Sequence, residues 1–122
     1  MHNIKDTTII ENAKQSISLQ ASAISNLISL LDTNFVNAVE TIVASNGRLV
    51  ISGIGKSAIV AQKIVATLNS TGTPALFMHA ADAIHGDLGM VQQQDVVIII
   101  SKSGDSPEIK DARRPWKADV MR

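Results

Sequence analysis

Val96-Val97-Ile98-Ile99-Ile100-Ser101-Lys102-Ser103-Gly104-Asp105-Ser106-Pro107-Glu108 is an apolar, β-branched run that stops at once in serines and glycine. Its apolar residues do not alternate with polar ones, which predicts a strand buried on both faces, as in a parallel sheet. Pro107 suits the first turn of a helix, where its missing N–H removes no intrahelical bond. Ser101, Ser103 and Ser106 therefore fall where a strand hands over to a helix N-terminus. Free backbone N–H groups and the positive end of the helix dipole gather at such a place and favour an anion. Three hydroxyls exceed what one cap needs, so the loop is expected to hold a phosphate. An ordinary Ser/Gly turn with a helix cap is the plainer alternative.

The sequence before this loop repeats the pattern. Arg48 to Ser52 reads as a short buried strand, Gly53-Ile54-Gly55-Lys56-Ser57 as the turn after it, and Ala58 to Asn69 as a helix. Ser70-Thr71-Gly72-Thr73-Pro74 makes a loop, Ala75 to Met78 a second strand, His79 to Met90 an irregular segment, and Asp95 to Ile100 the third strand. Strand–helix–strand–loop–strand implies a parallel sheet with right-handed crossovers. Ligands of such sheets bind beyond the carboxyl ends of the strands. The glycine turn, the His79–Met90 segment and the serine loop all fall at that edge.

Further out, Ile10, Ile17, Ile24 and Leu31 recur every seven residues, with Ala13, Ala21, Leu27 and Ile28 filling the stripe. A long amphipathic helix from about Thr7 to Leu31 follows, with an apolar face that needs cover. Asp32-Thr33-Asn34 supplies cap chemistry for a break and restart. Phe35, Val36, Val39, Ile42 and Val43 mark a second helix, which Asn46-Gly47 is expected to end with Gly47 in the left-handed position.

Composition narrows the function. The chain has 122 residues, 11 Lys+Arg against 11 Asp+Glu, and no cysteine. One domain with a real core fits that length. Zero net charge argues against nucleic acid as a partner. The lack of cysteine excludes a disulfide framework, a thiol nucleophile and a thiolate metal site. Phe35, Phe77 and Trp116 are the only aromatics, too few for a single-strand stacking platform. The N-terminus lacks the apolar core of a signal peptide, and no apolar stretch reaches membrane-spanning length. A cytoplasmic protein with no membrane partner is expected.

Two motifs need weighing. Gly53-Ile54-Gly55-Lys56-Ser57-Ala58 formally matches a dinucleotide-binding turn, but the acidic residue wanted at the end of the second strand is replaced by His79. Gly55-Lys56-Ser57 mimics the end of a Walker loop, yet the first glycine of that motif would fall at Val50, in mid-strand. The glycines also serve a tight strand-to-helix turn, and Lys56 at the carboxyl edge can reach an anion. His79, Asp82, His85 and Asp87 could ligate zinc, although histidines in such a loop more often form hydrogen bonds or act as acid or base. Glu108 could be a general base, or merely an acidic first-turn residue that complements the dipole.

Together these motifs, with Ser70-Thr71-Gly72-Thr73-Pro74 and His85-Gly86-Asp87-Leu88-Gly89-Met90, resemble a sugar isomerase (SIS) domain, and most closely the arabinose-5-phosphate isomerases. The resemblance implies an α/β, flavodoxin-like fold, with N-terminal helices followed by a parallel sheet flanked by helices. It implies interconversion of D-arabinose 5-phosphate and D-ribulose 5-phosphate for Kdo, lipopolysaccharide or capsule synthesis, with active sites built across the subunits of a homo-oligomer. Residue by residue, it implies catalytic roles for Lys56 and Glu108. It also implies substrate contacts at Ser57, Gly72, Thr73, His85, Ser101, Ser103 and Ser106. No cofactor is required, and His79 matches a position that ligates an inhibitory zinc. The resemblance ends near residue 110. Residues 1–46 are expected to pack as a helical segment on the core, and 47–110 to form the first half of a SIS domain. Residues 111–122 are expected to be a non-family polar tail on a domain cut short, since 110–122 carry seven charges in thirteen residues. A non-catalytic sugar-phosphate-binding module, an inactive remnant or a nucleotide-binding piece are the competing functions.

Overall fold

The computed structural model describes residues 5–84 and 87–113. Helix α1 (Asp6–Asn26) continues into a 3-10 turn, Leu27–Leu30, and α2 spans Thr33–Ala44. Asp32 makes the break between them: its Oδ1 accepts the N–H groups of Asn34 (3.0 Å) and Phe35 (3.3 Å), as its cap chemistry predicts. Two compact units result, and their boundary falls inside α2, after Val36. No residue of α1 is buried, and Ile17 and Ile24 of its apolar stripe stay 68 % and 69 % exposed. No single described helix is long and apolar enough to cross a membrane.

In the second unit, β1 (Leu49–Gly53), α3 (Lys56–Ser70), β2 (Ala75–His79), α4 (Ala80–Ile84), β3 (Val96–Ile100) and α5 (Pro107–Arg113) follow in order. The three strands pair in parallel in the order β2-β1-β3. Successive strands are therefore added on opposite sides of β1, which makes a topological switch point between β1 and β3. Side chains alternate between two layers, as the pleat requires. Val50, Leu76, Met78, Val97 and Ile99 pack with Ala80 and with Ile109 of α5. Leu49, Ile51, Phe77, Ile98 and Ile100 pack with Ala61, Val65 and Leu68 of α3 and Ile42 of α2. Both faces of β1 are covered, so its burial is complete.

Several boundaries move from the sequence expectation. The α3 helix begins at Lys56 rather than Ala58, which places Lys56 and Ser57 in its first turn. His79 is the last residue of β2, and the segment after it holds α4 and a 3-10 turn, Asp87–Met90. Asp95 lies before β3, not in it. Gly47 is not a left-handed helix cap: Gly55, Gly72 and Gly104 are the described glycines with positive φ. It is needed for close approach instead, because a Cβ there would fall on the backbone carbonyl of Gln94.

At the amino edge of the sheet Asp95, Arg48 and Asn69 form a hydrogen-bonded set. Asp95 has a side chain 1 % exposed and receives the Arg48 guanidinium at 3.0 Å, the Arg48 N–H at 2.8 Å and the Gln92 N–H at 2.8 Å. The same guanidinium donates to the Met90 carbonyl at 2.8 Å. The hydrogen bond from the Arg48 side chain, followed by that from the Gln92 backbone, lowers the Asp95 pKa from 3.8 to about 2. The Asn69 amide brackets Ala75 with two further bonds, at 2.8 and 3.1 Å.

Candidate functional site

At the carboxyl edge the register brings three chain exits into one row: Gly53 pairs with His79 on one side and with Ile100 on the other. Neighbouring strands lie about 4.8 Å apart, so the glycine turn and the serine loop leave the sheet side by side. Gly53 has to be glycine, because a Cβ there would stand 2.9 Å from the Ser57 carbonyl carbon and 3.0 Å from its oxygen. That close approach seats the first turn of α3 on the end of β1. Gly55 caps α3 at φ 60° and ψ −131°, which a side chain tolerates poorly, and the space beside its Cα is open. Lys56 is exposed and Ser57 half-buried in the turn so formed.

The serine loop is wound by its own hydroxyls. The Ser101 Oγ accepts the Gly104 N–H at 2.9 Å, and the Ser103 Oγ accepts the Asp105 N–H at 3.2 Å. Gly104, at φ 71°, makes the turn possible. A hydroxyl that accepts a backbone bond still has its own proton to donate. Ser101 and Ser103 are therefore oriented donors. The loop's backbone contributes fewer free N–H groups than expected, since Gly104 and Asp105 use theirs internally. The Ser106 carbonyl accepts from Ile109 (3.1 Å) and Lys110 (3.0 Å), which starts α5 with Pro107 in its first turn. The Ser106 Oγ is buried without a hydrogen-bond partner. Glu108 is half-buried in that turn, and among the described residues neither it nor Lys56 forms an ion pair.

The other expected site residues divide. His79 stands in the shared row. Its Nδ1 accepts the Ala81 N–H at 3.2 Å, and its ring meets the Phe77 ring edge-on at 6.3 Å. His85 lies outside the described residues. Gly72 and Thr73 precede β2 and lie at the opposite edge, where Thr73 lines a small cleft with Ile42, Arg48, Leu49 and Val96. One five-residue strand separates them from the serine loop, roughly 13 Å at 3.3 Å per residue. Within one chain they do not join the site. Among the described residues no group of three or more His, Cys, Asp or Glu converges to hold a metal. The Nδ1 lone pair of His79 is already engaged, so that side chain does not fit a zinc ligand as it stands.

Sequence reasoning passed over one residue. Ser52 is fully buried in β1, in register with Met78 and Ile99, and its Oγ has no partner. Its signal was a lone hydroxyl between Ile51 and the turn glycine.

The SIS domain profile matches residues 42–120, about two-thirds of the chain. The chain belongs to the SIS domain family. The matched span takes in β1 to α5 and extends past residue 110, where the sequence changes character. Relatives of this SIS domain include the arabinose 5-phosphate isomerase KdsD of Pseudomonas aeruginosa, 43 % identical over 109 residues, covering 89 % of this chain and 33 % of that protein. The arabinose 5-phosphate isomerase GutQ of Escherichia coli K12 is 45 % identical over 101 residues, covering 83 % and 32 %. The chain thus spans about a third of the length of these relatives. A solved structure from Escherichia coli CFT073, in complex with arabinose 5-phosphate, superposes with a TM-score of 0.85 at 38 % identity, covering 92 % of this chain and 60 % of that one.

Proposed function

We propose that this SIS domain binds a phosphorylated sugar at the carboxyl edge of its sheet. We further propose that it forms part of an aldose–ketose isomerase interconverting D-arabinose 5-phosphate and D-ribulose 5-phosphate, toward Kdo for lipopolysaccharide or capsule. The register row Gly53–His79–Ile100 carries the proposal, because it sets a lysine turn beside a loop of oriented serine donors. The relatives named arabinose 5-phosphate isomerase, and the neighbour solved with that sugar phosphate, support the choice of sugar.

In this reading Ser101, Ser103 and Ser106 hold the phosphate, and Ser57 and His85 contact the sugar. The reaction moves a proton between adjacent carbons through a cis-enediol. The Glu108 carboxylate takes and returns the proton, and the Lys56 ammonium offsets the charge that develops on the neighbouring oxygen. Such a transfer within one molecule involves no net oxidation and no carried group, so it calls for no redox or group-carrying cofactor. A freely diffusing sugar phosphate fits a cytoplasmic setting. Gly72 and Thr73 reach a substrate at the far edge only from another copy. The uncovered stripe of α1 gives a homo-oligomer its apolar surface. Sedimentation of the purified chain is expected to show self-association at micromolar concentration; a stable monomer would remove this part of the proposal.

Conversion of arabinose 5-phosphate is expected to be lost on Lys56→Ala and on Glu108→Gln; conversion unchanged in either variant would remove the role proposed for that residue. Ser103→Asp puts a carboxylate where the phosphate sits. Calorimetry should find sugar-phosphate affinity reduced by at least about a hundredfold, with an unchanged circular dichroism spectrum. Equal affinity in the variant would remove the anion site.

A further inference from the structure

We propose that His79 is a positioning residue, the N-terminal cap of α4, and not a metal ligand. It stands directly before α4, and its Nδ1 accepts the N–H of Ala81, the second residue of that helix, at 3.2 Å. This is the bond that a capping side chain makes to an otherwise unpaired first-turn donor. A ring nitrogen that accepts a hydrogen bond carries no proton, so in the neutral imidazole the proton sits on Nε2. The Nδ1 lone pair is committed to the backbone and Nε2 has none to give. Zinc could take either nitrogen only by breaking the cap or expelling the ring proton. The edge-on Phe77 ring, at 6.3 Å and 83°, further sets the imidazole plane.

The cap reaches the rest of the site through packing. Ala80, fully buried, follows His79 and packs with Val50, Met78 and Ile109. Ile109 is the neighbour of Glu108 and lies three residues beyond Ser106, the residue before α5. At its other end α4 runs into His85. Fixing the start of α4 therefore fixes one wall against which α5 presents Glu108. The consequence for ligand binding rests on the sugar-phosphate reading of the site; the cap itself does not.

The test compares the wild-type chain with His79→Ala and His79→Asn. Asparagine is a strong cap acceptor but has no imidazole nitrogen. Exchange of the Ala81 amide is expected to rise about fivefold in His79→Ala, the ratio that a typical cap contributes, and to return to the wild-type rate in His79→Asn. Long-range proton–nitrogen spectra of the wild type should place the ring proton on Nε2. Equilibrium dialysis against zinc alone should leave equal metal on all three proteins. Arabinose 5-phosphate affinity should fall about fivefold in His79→Ala and recover in His79→Asn. A proton on Nδ1, zinc retention that depends on His79, or an Ala81 amide indifferent to its loss would overturn the cap. Amide protection restored by asparagine without restored affinity would overturn the positioning role. If the wild type binds neither arabinose 5-phosphate nor inorganic phosphate, the sugar-phosphate reading fails, and the exchange, spectra and dialysis still decide the cap.

Discussion

The two edges of the sheet are built on opposite principles. At the amino edge Asp95 accepts from Arg48 and Gln92, Asn69 brackets Ala75, and Gly47 lets the α2–β1 connection touch the backbone at Gln94. At the carboxyl edge the hydroxyls of Ser52 and Ser106 are buried without partners. A buried hydroxyl left unpaired costs about 1–3 kcal/mol. Hydrogen bonds are thus concentrated at the amino edge, and the buried unpartnered hydroxyls lie at the edge where we propose that a ligand binds.

The difference can be broken most severely at Gly47. Gly47→Ala is expected to cost about 3 kcal/mol or more, since the new methyl meets backbone rather than a yielding side chain. Urea denaturation would measure it, and a loss under about 1 kcal/mol would show that the connection can move aside.

Asp95→Asn is expected to lower Tm by about 5–10 °C at pH 7, through weakened charged hydrogen bonds. The pH dependence has a definite sign. A carboxyl whose folded pKa is about 2, against 3.8 unperturbed, adds stability that is complete above roughly pH 4 and fades as pH falls toward 2. Thermal melts of the two proteins should therefore converge across that window. A constant gap would assign the effect to packing instead.

The smallest effect has the opposite direction. Ser52→Ala removes an unpartnered hydroxyl and should raise stability by about 1 kcal/mol without ligand. Destabilisation would mean that the hydroxyl is satisfied in solution, and the contrast between the edges would narrow.

The parallel sheet and the positions of its strands were legible in the sequence, because both depend on patterns that a strand and its flanking turns carry alone. Val96–Ile100 has no polar residue, and its neighbours in the motif are serines and glycine. The same local logic found the Asp32 break and Pro107 in the first turn of α5. What escaped depends on partners distant in the chain. Gly47 read as a helix terminator because its true constraint, the Gln94 carbonyl, is far away in sequence. Gly72 and Thr73 belong by resemblance to a substrate site, yet in one chain they lie a strand length away.

The equal length of the three strands has a consequence for how this domain can vary. Each strand has five residues, and all three end in one row. They act as a gauge block: the distance between the lysine turn and the serine loop is set by strand spacing, not by the connecting helices. Connections on the amino side can lengthen or shorten without moving that distance. Deleting one residue within a strand would displace its loop by about 3.3 Å and turn its side chains to the other layer. Changes in chain length should therefore be confined to the helices and turns, leaving the strands as the fixed ruler of the site.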